Sequence, residues 1–200
     1  MKRASTRFWL CASALVLAGP TQFAVAQSAQ KAQTSVQRAN ELTLARLRPG
    51  RSTVDESQKI YPTVFWTFRI GTWCLADPCQ KLTMVIDSDF GSKRINKTRV
   101  EPTEGSGETC TENKDWYWGT GKGLKVCDAK SKAYSIYGEP SSVSPSTKNG
   151  QPLELLYYTF DWAGPDVPQV MEVVCTAPKD GTPGRVVEIT WRQAASNEND

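Results

Sequence analysis

The sequence predicts an α+β protein in which two tandem units, each a short helix followed by an antiparallel meander, form one sheet with the helices on one face. Three observations predict it. A glycine or glycine-led turn, a capping residue and a short helical stretch occur twice, ending at Tyr61 and at Tyr137. Each stretch is followed by segments of strand character separated by turn residues. The resulting order, helix then meander and again helix then meander, is that of helices packed on one side of an antiparallel sheet.

The first segment, 1–26, stands apart. Lys2, Arg3 and Arg7 form a basic head, Phe8 to Ala18 an apolar stretch, and Ala24-Val25-Ala26 places small residues where a signal peptidase reads. A secretory signal peptide is expected here, cut after Ala26. Its apolar stretch, broken by Gly19 and Pro20, is shorter than the about 20 residues of a spanning helix. Cys11 lies early, behind bulky Trp9 and Leu10, which is not the setting of a lipid attachment site.

Removing 1–26 takes three basic residues and no acidic ones, so 24 − 3 = 21 Lys plus Arg remain against 21 Asp plus Glu. A balanced chain offers no basic face for phosphates, which argues against nucleic acid. The remaining 200 − 26 = 174 residues can bury a real core, and no second long apolar run predicts a membrane span. We divide them into a lead-in at 27–41, a first repeat at 42–110, a second repeat at 111–193 and a tail at 194–200. The lead-in is polar from Gln27 to Gln37, without an apolar face.

In the first repeat Ser52 is placed to cap a helix over Thr53 to Tyr61, with Val54, Ile60 and Tyr61 as its apolar residues. Strands are expected at Thr63 to Trp73, Lys81 to Asp87 and Arg94 to Val100, the last two joined by a turn at Asp89-Phe90-Gly91-Ser92. In the second, Asp128 is placed to cap Ala129 to Tyr137, where Ala133, Ile136 and Tyr137 lie at helical spacing and Gly138-Glu139-Pro140 stops the helix. Strands follow at Leu153 to Trp162, Gln169 to Thr176 and Arg185 to Trp191, with a turn at Lys179-Asp180-Gly181. Val186, Glu188 and Thr190 alternate with Val187, Ile189 and Trp191, the period of a half-buried strand.

Without Cys11, 6 − 1 = 5 cysteines remain: Cys74, Cys79, Cys110, Cys127 and Cys175. Export makes disulfides the expected state, and an odd number leaves one unpaired or bonded elsewhere. Leu75-Ala76-Asp77-Pro78 reads as a turn that brings Cys74 to Cys79, which leaves Cys110 for Cys127; other pairings stay open. Zinc is disfavoured by the four residues between Cys74 and Cys79 and by the absence of histidine.

The same absence removes every histidine-based nucleophilic site. Glu101, Glu104, Glu108 and Glu112 lie in a Pro/Gly-containing connector, where solvated carboxylates lack the burial that makes a general acid. Gly119-Thr120-Gly121-Lys122-Gly123 fails as a phosphate loop, since Trp116 holds the first glycine position and Gly123 follows Lys122 where Ser or Thr is needed. Asn96-Lys97-Thr98 would accept a glycan only in a eukaryotic host. No catalytic residue, metal or cofactor is expected.

Gly123-Leu124-Lys125-Val126-Cys127-Asp128 through Tyr137-Gly138-Glu139-Pro140 resembles the opening of the small outer-membrane-assembly lipoproteins of SmpA/OmlA type and the related β-lactamase-inhibitor-like fold. Cys127 stands where those families usually have glycine; the first repeat keeps it as Gly50 and runs one residue longer to Tyr61. The two-copy layout is similar to the inhibitor branch, whose tandem repeats build one concave sheet. The resemblance implies protein binding without catalysis, with Asp77 and Asp166 as loop carboxylates offered to a partner.

Trp73, Trp116, Tyr117, Trp118 and Trp162 are the aromatic candidates for that surface, because such side chains bury much area with few rotatable bonds. The expected function is that of a periplasmic or extracellular binding protein, an inhibitor of an envelope or secreted enzyme. A carbohydrate-binding module and a structural envelope protein are the alternatives.

Overall fold

The computed structural model describes residues 42–62, 65–67, 69–77, 79–89, 91–103, 110–113, 115–160, 169–179 and 181–193. The expected signal peptide and the expected tail lie outside them. Chain order is α1 (Val54–Ile60), β1 (Phe65–Thr67), β2 (Ile70–Ala76), β3 (Lys81–Ser88), β4 (Ile95–Pro102), α2 (Lys130–Tyr137), β5 (Ser142–Lys148), β6 (Gln151–Thr159), β7 (Gln169–Thr176) and β8 (Val186–Gln193). The strands form one sheet in the order β1-β2-β3-β4-β8-β7-β6-β5, so two antiparallel meanders meet along β4 and β8.

Register assigns the faces. Trp73, Met84, Val100, Ile189, Val173 and Leu156 are successive partners across six strands, and all six are buried. Tyr61 and Ala133 belong to the same core, so both helices cover this face. Each large side chain withdrawn from water there contributes roughly 1.5–3 kcal/mol. Small residues make the helix contacts: Ser57 and Ala133 are the buried residues of α1 and α2.

The two helix entrances share a hydrogen-bond scheme. Gly50 N–H donates to Ile95 O at 2.7 Å, and Cys127 N–H to Val186 O at 2.8 Å. Thr53 bridges Arg94, and Ala129 bridges Arg185. Gly50 (φ 79°) and Cys127 (φ 74°) both lie in the left-handed region. Glycine enters it freely, whereas a cysteine there pays a strain of order 1–3 kcal/mol.

Several local expectations are corrected. The cap of α1 is Thr53, which accepts from Glu56 N–H while Glu56 accepts from Thr53 N–H; Ser52 Oγ instead accepts from Arg48 N–H at 3.0 Å. Asp128 does not cap α2, whose N-cap is Ala129: its carboxylate accepts from Lys125 N–H at 2.7 Å and holds Lys132 Nζ at 2.8 Å. The single strand expected from Thr63 to Trp73 is a hairpin, β1 on β2. A register shift beside Val174 and Cys175 breaks the alternation of β8, so that Val186, Ile189 and Trp191 are buried while Val187 and Glu188 are less so. An inserted residue resets the period of two in this way.

The cysteine pairing is also corrected: Cys74 bonds Cys110 and Cys79 bonds Cys127, while Cys175 is free and buried. β2 does not end at Cys74 but runs on to Ala76, and the chain beyond Cys110 lies beside it, Thr111 N–H donating to Cys74 O and Ala76 N–H to Thr111 O. That places Cys110, not Cys79, next to Cys74, with 4.7 Å between their Cα atoms. The two bridges fit an oxidising compartment. Among the described residues no helix is long and apolar enough to cross a membrane.

Candidate functional site

Tyr61, closing α1, is the centre of an aromatic cluster. Its ring meets the edges or faces of Trp73, Trp116 and Trp118 at centroid distances of 6.0, 5.2 and 6.3 Å. Its hydroxyl donates to Ala45 O at 2.8 Å, and burial pushes its pKa far above the usual phenol value. Trp73 donates Nε1–H to Tyr61 O at 3.1 Å, which fixes the indole against the helix end. Trp116 stacks on Trp118 at 6.0 Å and is the less buried of the two.

Outside this cluster lies a cavity of about 350 Å³, lined by Leu75, Ala76, Asp77, Glu112, Asn113, Trp116 and Lys125. The end of β2 supplies its first wall, and Asp77 is held by accepting from Cys79 N–H at 2.9 Å. The strand-like pairing of Thr111 with Leu75 supplies the second, bringing Glu112 and Asn113 alongside. Asn113 accepts from Asp115 N–H at 2.9 Å, a turn that directs the chain back to Trp116.

Lys125 forms the third wall, with the Tyr117 ring against it. The Lys125 ammonium sits 4.6 Å from the Tyr117 ring centre, a cation-π arrangement. The Tyr117 hydroxyl donates to Thr120 O at 3.3 Å, and desolvation raises its pKa. Gly119 permits this: a Cβ there would stand 2.6 Å from the Tyr117 hydroxyl oxygen. The bridges from Cys74 to Cys110 and from Cys79 to Cys127 tie together the segments that carry these walls.

The structure therefore brings Asp77 and Trp116 to one cleft, and Tyr117 lies against its Lys125 wall without lining it. It removes Trp73 and Trp118 from any direct contact surface, since both are buried at 2% and 3% exposure; Trp118 stacks on Trp116, and Trp73 packs on Tyr61. Trp162 and Asp166 lie outside the described residues. Glu101 is no connector residue: it belongs to β4 and pairs with Arg99 at 3.0 Å. Glu104 and Glu108 are outside the described residues.

Glu112, Asn113 and Lys125 were not singled out as partner contacts by the sequence. Their signal is the disulfide connectivity, which alone places the segment after Cys110 against β2. Chemically the cleft offers an indole wall, two carboxylates, an amide and one ammonium in a rigid frame, a set suited to recognition. Among the described residues no three metal-ligating side chains converge. No protein family, curated protein or solved structure matches the chain.

Proposed function

We propose that the chain is an exported, non-catalytic binding protein of the periplasm or cell exterior, which holds a protein partner at the cleft around Trp116 and inhibits an envelope or secreted enzyme. The observation that carries this reading is the rigid convergence of Trp116, Asp77 and Glu112 beside two disulfides. A pre-ordered aromatic anchor loses little entropy on binding, and such anchors dominate interface energetics.

The tandem-repeat reading supports it. The paired hydrogen bonds of Gly50 and Cys127 and the two helices ending at Tyr61 and Tyr137 fit two copies of one unit. The one-residue difference in helix entrance falls between the glycine position and the cap. In that reading a cysteine replaced the second glycine and recruited Cys79.

A carbohydrate partner is the second reading, favoured by one observation: Trp116 shares its cavity with Asp77, Glu112 and Asn113, the hydrogen-bonding groups that sugar hydroxyls need around an aromatic face. Affinity capture from envelope extract distinguishes the two. A protein retained by the wild type should be lost to Trp116→Ala, with affinity lowered about thirtyfold, the ~2 kcal/mol of an interface anchor. Capture of glycan alone would contradict the protein reading.

A further inference from the structure

The sheet face opposite the helices carries a second cavity, distinct from the Trp116 cleft. Its volume is about 270 Å³, and Pro102, Leu153, Val174 and Val187 give it an almost wholly apolar wall. Lys148, at the end of β5, reaches across it. The Lys148 ammonium lies 2.9 Å from Glu101 Oε2 on β4 and 3.7 Å from Glu188 Oε2 on β8.

That contact measures the curvature of the sheet. β5 and β4 are four places apart in the strand order, which in a flat sheet is about 19 Å at ~4.8 Å per strand. A lysine and a glutamate meet over that distance only if the sheet curls, so the Lys148 pair roofs the cavity instead of lying flat on it.

Glu101 and Glu188 each lie just beyond the last register pair of β4 and β8, Val100 with Ile189, and both face Lys148. Arg99 also holds Glu101, at 3.0 Å. Burial, and then the neighbouring Glu101 carboxylate, raise the Glu188 pKa. The pair thus gains from every cation brought to it, and Lys148 is its more exposed one, 42% against 36% for Arg99. Lys148 itself shows the shape that fits: an aliphatic stem beside an apolar wall, with an ammonium on two carboxylates.

We propose that this cavity binds a small primary amine with an apolar body of one or two rings, whose ammonium takes the place of Lys148 on Glu101 and Glu188. Charge complementarity selects the amine. Size selects a small molecule, because the cavity, at about 270 Å³, falls just below the roughly 300–1,000 Å³ of drug-sized pockets.

Tryptamine, titrated calorimetrically into the exported chain with both disulfides intact, tests this. Saturable one-to-one binding is expected, and the neutral analogue 3-ethylindole should bind at least tenfold more weakly. Lys148→Ala removes the internal competitor and should tighten tryptamine binding about tenfold. Glu188→Gln should weaken it by the same factor, and Val174→Trp, which fills the cavity, should abolish it; thermal melts establish that each variant is folded. Amide shifts on titration should centre on Val174 and Glu188. Equal binding of the neutral analogue, no saturable binding to Lys148→Ala, or shifts centred on Asp77 and Glu112 would overturn the proposal.

Discussion

The two meanders follow the same strand order but are held by different means. In the first, the ring cluster of Tyr61 is completed by Trp116 and Trp118 from the connector, and two disulfides tie β2 and the β2–β3 turn to the chain that follows. In the second, Tyr137 meets Tyr158, Phe160 and Trp191 at 5.9 to 6.2 Å, and Phe160 stacks on Trp191 at 5.2 Å. There, the Lys130 ammonium pairs with Glu154 to hold α2 to β6. The strands of the second meander carry no disulfide, whereas both bridges start from the first, at Cys74 and Cys79. The difference teaches why the cleft lies where it does: the bridges that tie β2 and the β2–β3 turn also tie the segments that line the site.

The sharpest way to break this comparison is to remove a staple. Closing the 48-residue separation between Cys79 and Cys127 stabilises the fold by about 4 kcal/mol on loop-closure grounds. Cys79→Ser with Cys127→Ala should therefore lower stability by that amount in urea melts, and hydrogen exchange should rise in β2 and β3 more than in β6 and β7. Equal loss of protection in both halves would refute the contrast. Pairing Cys79→Ser with Cys127→Gly should recover about 1 kcal/mol, because glycine removes the strain of a side chain at φ 74°.

The second test addresses the tie between the halves. Gln169 is buried, donates Nε2–H to Pro49 O at 3.0 Å and accepts from Trp191 Nε1–H at 3.1 Å. Gln169→Ala leaves both partners unpaired and should cost about 2 kcal/mol, again read from urea melts. A change near zero would mean that these two hydrogen bonds add nothing to the joint along β4 and β8.

The smallest expected effect concerns the open face. An acid whose folded pKa is raised stabilises the fold in its protonated form, and that contribution is lost as pH rises through the folded pKa. For Glu188, raised by burial and by Glu101, the cost is present at neutral pH and absent well below the ordinary carboxylate range. Glu188→Gln should then raise the thermal midpoint slightly at pH 7, with the gain vanishing towards pH 3.

The helices were legible because a glycine-led turn and a terminal tyrosine bound each, although both caps differ: Thr53 takes the place of Ser52 by forming a reciprocal pair with Glu56, and α2 has Ala129 as its N-cap, without a side-chain bond. β5 was not: Ser142–Lys148 is polar, holds Pro145 and is mostly exposed, as an edge strand can be without any core period. The β1–β2 hairpin was hidden because its turn, near Arg69, carries neither glycine nor proline. Of the site, Trp116 and Asp77 could be named from residue type, but Glu112 and Lys125 could not. Their place depends on which cysteines meet, a fact of tertiary structure that spacing does not encode.

The central claim, that a partner protein docks against Trp116, is tested most directly by site-specific photo-crosslinking in the producing cell. A benzophenone side chain at position 116 should form a covalent adduct with one protein, and the same group at exposed position 143 on β5 should not. Adducts of equal yield from both positions, or none from position 116, would contradict it.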